Sequence, residues 1–164
     1  MNDAAMLDLI FALKFVHVLA AAAMFGAWLC LAIVMLLGHR SGNPSVIAVT
    51  TQFVVDIEKM VMAPAIAAQP ASGFPLAWAI GVLPLNEFWI VVSLGLFVVV
   101  VACWLAAFRV ETRVRKLSRQ SALDAVELPD DYRRMFQAWS ALAAAGLLAT
   151  AAIFALMIWQ PRLD

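Results

Sequence analysis

Residues 7–37, LDLIFALKFVHVLAAAAMFGAWLCLAIVMLL, form one long apolar run, and its reading decides the fold. At about 1.5 Å rise per residue, a helix of this length exceeds a hydrocarbon core of about 30 Å. The run is therefore expected to cross a membrane and to tilt or project past one face. Within Leu13–Ala27 only Lys14 and His17 interrupt it. An ionisable side chain in hydrocarbon costs about 2.5–3.5 kcal/mol on insertion scales, which makes such a residue a functional-site candidate. Lys14 and His17 are three apart and share a helix face, which Ala21 and Met24 continue. Ala20, Ala23, Gly26 and Ala27 are small enough to let another helix or a flat ligand come close.

Composition agrees with a membrane protein. The 164 residues are 65% hydrophobic and 13% charged, with a mean hydropathy of +0.94. A soluble domain is about half apolar and a quarter charged. One transmembrane domain, 1–164, is the natural count. No Lys or Arg precedes Lys14, and the run outlasts a signal-peptide core of about 7–15 residues, so it reads as a retained span. Cys30 and Cys103 both sit in apolar runs, which argues against a disulfide framework and for small buried hydrophobes.

Three further spans are expected, at about 60–82, 88–108 and 136–159, giving an all-α four-helix bundle. Asn43-Pro44 reads as an N-cap with Pro at the first helical position. Residues 45–59 read as a helical lead-in at the interface or in solvent, with Asp56 and Lys59 as an i,i+3 pair. Pro64, Pro70 and Pro75 imply a kinked second span. Gly81, Pro84 and Asn86 read as a turn. Trp89 and Trp104 bound the third span as an aromatic belt would. Arg109, Arg113, Arg115, Lys116 and Arg119 read as a basic topology determinant touching anionic lipid. Lys/Arg placement, with Arg162 alone on the other side beyond Lys14, then puts both termini outside and the 109–134 loop in the cytoplasm.

His17 admits several readings: metal or haem ligand, proton relay, or interhelical hydrogen bond. By depth, Gln69 and Ser93 could line the same cavity. Lys14 either snorkels to the outer interface or pairs with an anionic cofactor such as a haem propionate. His39 lies 22 residues from His17, about 33 Å along one helix, so the two cannot share a haem within that helix; His39 is assigned to the interface. Met60 and Met62 do not share a face, so core packing outweighs copper binding. No nucleotide-binding glycine pattern, paired catalytic carboxylates or HExxH-type site appears, and no nucleic-acid partner is expected.

Residues 13–27, 56–77, 103–117 and 139–161 together resemble the uncharacterised bacterial integral-membrane family called domain of unknown function 2269. The first two stretches also resemble the J-type protoporphyrinogen oxidase, and copper-resistance D-type proteins more distantly. Lys14 and His17 match that oxidase's Lys-x-x-His pattern, and Glu58, Lys59, Pro64 and Ala65 match part of its second-helix pattern. This chain has no Lys between Phe88 and Phe108, where that family carries one. The resemblance implies haem b at the first-helix histidine and, if the chain is an enzyme, an oxidoreductase of the bacterial inner membrane. The resulting expectation is a haem-b or porphyrin-binding redox protein with His17 as metal ligand and Lys14 and Gln69 as cofactor-binding residues. Gln69 would orient the imidazole through its other nitrogen. The rival expectation is a small non-enzymatic subunit or carrier without cofactor, packed against lipid, a second copy or a membrane partner.

Overall fold

The computed structural model describes residues 3–83 and 86–161, and every regular element among them is helical. The helices are α1 (Asp3–Arg40), α2 (Pro44–Ile57), α3 (Ala63–Ala79), α4 (Phe88–Leu123) and α5 (Asp131–Trp159). A π-helical segment, Glu58–Met62, joins α2 to α3 without a break, so the described residues make four helical rods. Three helices, α1, α4 and α5, are long and apolar enough to cross a membrane, at 38, 36 and 29 residues. The expected span at 60–82 is not among them; its helix α3 has 17 residues. Pro84 of the expected turn and Arg162 of the charge count lie outside the described residues.

Local chemistry sets the helix ends. Asn43 caps α2 by accepting from the Ser45 N–H at 2.9 Å, and Pro44 follows as the first helical residue. After α4, Ala125 adopts φ 52° and the Val126 N–H bonds the Ser121 carbonyl at 3.0 Å, closing the helix as a left-handed cap. Gln160 at φ 44° does the same for α5.

Each rod buries a stripe repeating every three or four residues, the pattern of helices packed nearly side by side. In α5 it is Tyr132, Phe136, Trp139, Ala143, Gly146 and Thr150. In α1 it is Ala20, Met24, Trp28, Leu31, Met35 and Gly38. The second rod buries Ile47, Thr51, Val54, Glu58, Met62, Ala65, Gln69 and Ser72. Its one double step of four, from Val54 through Glu58 to Met62, falls on the π-helical segment. Over the whole rod the steps average close to the α-helical period of about 3.6 residues, so the stripe stays on one face. The irregularity of this rod is therefore at 58–62, whereas α3 runs on through Pro70 and Pro75.

Two sequence expectations need correction here. Residues 109–123 are not loop; they are the last turns of α4, which buries Glu111, Val114, Ser118 and Ser121 while Arg109, Arg113, Lys116 and Arg119 stay exposed. Only 124–130 connect α4 to α5. Residues 45–59 are helical as expected but not solvated all round, because Ile47, Thr51, Val54, Val55 and Glu58 are buried.

α4 lies along α5, α1 lies along α3, α2 packs on both α1 and α4, and α1 also meets α5. At the α1–α5 contact the Trp28 indole rests on the bare backbone of Gly146, where any Cβ would collide with the ring. Trp28 is buried, so the ring has no free volume to retreat into. Gly146→Ala gains up to about 1 kcal/mol of helix propensity but overpacks the site, at a cost of roughly 1–3 kcal/mol. The expected outcome is a lower Tm for Gly146→Ala in a detergent thermal melt, with an unchanged or higher Tm for Gly95→Ala, whose added Cβ meets open space.

Candidate functional site

Two places in the bundle hold polar side chains inside an apolar setting. One meets the second rod on α3, the other on the π-helical segment at its middle.

The first is built around His17 on α1. Its imidazole is half-buried against α3, over Gly73, where a Cβ would come within 3.0 Å of Cε1. The glycine beneath the imidazole is thus Gly73; Gly26, one of the small residues expected to let a helix or flat ligand approach, has open space beside it. Nδ1 of His17 lies 3.0 Å from the Ser72 hydroxyl. That hydroxyl already donates its proton to the Ala68 carbonyl at 2.5 Å. Ser72 therefore accepts, His17 donates from Nδ1, and Nε2 is left as the nitrogen with the free lone pair. No hydrogen bond to Nε2 is present among the described residues. Gln69 is buried and donates to the His17 backbone carbonyl at 3.2 Å. It holds the α1 backbone at this level, and Ser72 has the orienting role expected of Gln69. Lys14 is exposed one turn away. Ser93 is buried but spends its hydroxyl on the Trp89 carbonyl at 2.6 Å, within its own helix.

The second place was missed in the sequence. Glu58, on the π-helical segment, and Glu111, on α4, are 3% and 2% exposed. Each carboxyl lies close enough to the other to act on its ionisation. Trp139 of α5 donates its indole N–H to Glu111 Oε1 at 2.5 Å. Glu58 Oε2, Glu111 Oε2 and Trp104 Nε1 are buried without a partner. Two ionised carboxylates offer only acceptors, so the contact between them requires a proton. Burial, together with the facing carboxyl, pushes the Glu58 carboxyl far above the usual carboxylate range. Nearby charges do not neutralise the pair directly: Lys59 turns onto the Phe108 ring, 5.9 Å from its centroid, and Arg115 bonds Gln52 at 3.2 Å. Asp56 likewise takes a bond from Gln52, at 2.7 Å, in place of the expected pairing with Lys59. Trp104 packs on the core and buries its N–H, so it does not serve as a headgroup belt.

His39 is also more than an interface residue. Its ring stacks on Phe136 at 3.7 Å between centroids, and Nδ1 lies 3.0 Å from the Tyr132 hydroxyl. Cys30 and Cys103 are free, and Cys30 is exposed. The signal that could have found the second site is phase: Glu58 and Glu111 fall on the buried stripes of their helices, whereas their charged neighbours do not.

A carboxyl kept neutral by the fold stabilises it fully below the ordinary carboxylate range. That contribution is lost as pH rises toward the raised value. Wild-type Tm is accordingly expected to fall as pH is raised from acid through neutral to alkaline. In Glu58→Gln, whose amide cannot ionise, the slope should flatten. Parallel slopes in a detergent melt would contradict the assignment.

No curated protein and no solved structure matches this chain. Among family models, that of the predicted integral membrane proteins termed domain of unknown function 2269 matches residues 11–161, and the chain belongs to that family.

Proposed function

We propose that this integral membrane protein binds haem b or a related porphyrin, with His17 as the axial ligand, and serves a redox role. The observation that supports it is the fixed tautomer. Ser72 and its back-bond to Ala68 hold the proton on Nδ1 and leave Nε2 available. Metal-ligating histidines commonly donate their other ring N–H in this way. Lys14, exposed one turn away, would pair with a propionate, and Gln69 would steady the α1 backbone at His17. Bound haem would supply one-electron chemistry. The resemblance of Lys14-x-x-His17 to the J-type oxidase pattern points the same way.

In this reading the α2–α3 rod forms the fourth crossing, bent at or beyond the π-helical segment. The protein sits in the bacterial inner membrane with both termini periplasmic and the basic end of α4 cytoplasmic. A cysteine placed after Trp159 should react with an impermeant thiol reagent on intact cells, in a Cys30→Ser, Cys103→Ser background. Reaction only after permeabilisation would reverse the orientation.

For the cofactor, the measurement is the absorption spectrum of protein expressed with haem precursor. A Soret band is expected in wild type, weakened in Ser72→Ala and lost in His17→Ala. A wild type without haem, or His17→Ala with its full complement, would remove the proposal. The first result would favour the non-enzymatic subunit or carrier.

A further inference from the structure

We propose that Glu58 and Glu111 form a proton-binding site at the basic end of the bundle, holding one exchangeable proton between two buried carboxyls. This inference is independent of any haem at His17. It rests on three features of the packing. Both side chains are at least 97% buried, being 3% and 2% exposed. Each keeps one oxygen, Oε2, without a partner. A separate helix, α5, aims the Trp139 N–H at Glu111 Oε1.

Those features decide where the proton sits. An indole N–H can only donate, so it favours the ionised form of the group it meets. Glu111 is thus the carboxylate, and Glu58 is the acid that donates its O–H across to Glu111. When the proton leaves Glu58, two carboxylates face each other in a buried setting, and their repulsion favours separation. Glu58 stands on the π-helical segment, where the backbone hydrogen bonds depart from the α pattern. π turns recur at functional positions, and this one offers a place for the rod to shift.

The charged surroundings allow exchange without quenching it. From the second rod, Asp56 and Lys59 flank Glu58, engaged with Gln52 and the Phe108 ring. On α4, Arg115 lies one turn beyond Glu111 and is held by Gln52. α5 contributes Trp139, and the buried positions of α1 carry no ionisable group. The proton thus has no fixed ion pair to compete with, and charged, exposed residues begin within one turn.

Infrared spectroscopy of the purified protein in a detergent without ester or carboxyl groups tests this directly. At neutral pH ordinary Asp and Glu side chains are ionised, so only a perturbed acid shows the C=O stretch of a protonated carboxyl. Wild type should show that band at neutral pH. The band should move to lower frequency in D2O and fade as the pH is raised into the alkaline range. It should be absent from the Glu58→Gln/Glu111→Gln double variant, whose amides keep the volume. The proposal is overturned by no band in wild type, by a band insensitive to D2O, or by a band that survives in the double variant. Should the double variant fail to fold, the D2O and pH responses of wild type decide alone.

Discussion

The second rod must keep one face against α1 for its whole length while also packing on α4, and the structure depends on how it does so. A stripe stepping three and four residues stays on one side of a helix whose neighbours lie nearly parallel to it. Thr51 and Gln69, like Val54 and Ser72, stand five α-helical turns apart at about 3.6 residues per turn, so the α2 half and the α3 half present one face across the π-helical segment. Ile47, Thr51 and Val54 are thereby buried together with Gln69 and Ser72. The same phase puts Glu58 on the buried face and leaves Lys59 outside, lying on Phe108. One helical phase thus fixes both the packing face and the position of a buried acid.

Much of the architecture was legible in the sequence because hydropathy is additive over a window. The runs 7–37, 88–108 and 136–159 read as spans, and α1, α4 and α5 carry them. Helix ends were less legible. The basic segment after Phe108 reads as loop by charge alone, yet α4 continues to Leu123, because Val114, Ser118 and Ser121 keep the buried phase among exposed cations. Window averages hide such phase. In the apolar spans they hide it completely, since lipid-facing and protein-facing residues are equally hydrophobic. The informative residues there are the small and polar ones: Gly38 beneath Thr50, Gly73 beneath His17, and Gly146 beneath Trp28.

The two polar places differ in what sequence could say about them. His17 stands alone in an apolar run and is conspicuous. Its orienting partner Ser72 is far away in sequence, and nothing local distinguishes it from Gln69 three residues earlier. Glu58 is inconspicuous for the opposite reason. It sits beside Asp56 and Lys59, and a cluster of mixed charge reads as solvated surface. Only the meeting of α4, α5 and the π-helical segment distinguishes Glu58 and Glu111 from the charges around them.

The energetics of that meeting argue against a purely stabilising role for it. An ion taken out of water costs several kcal/mol even after relaxation, and replacing buried charged groups by apolar ones of similar volume is often neutral or stabilising by about 1–4 kcal/mol. Met62, Val54 and Val114 show that this region of the core accepts apolar side chains at near-full burial. Sharing one proton halves the charge to be buried, and the Trp139 hydrogen bond offsets part of the rest, since a bond to a charged group is worth roughly 1.5–3 kcal/mol. The balance is survivable but no better than an apolar pair would give. Two acids at this position therefore add little that packing alone could not supply, apart from a proton that can leave and return.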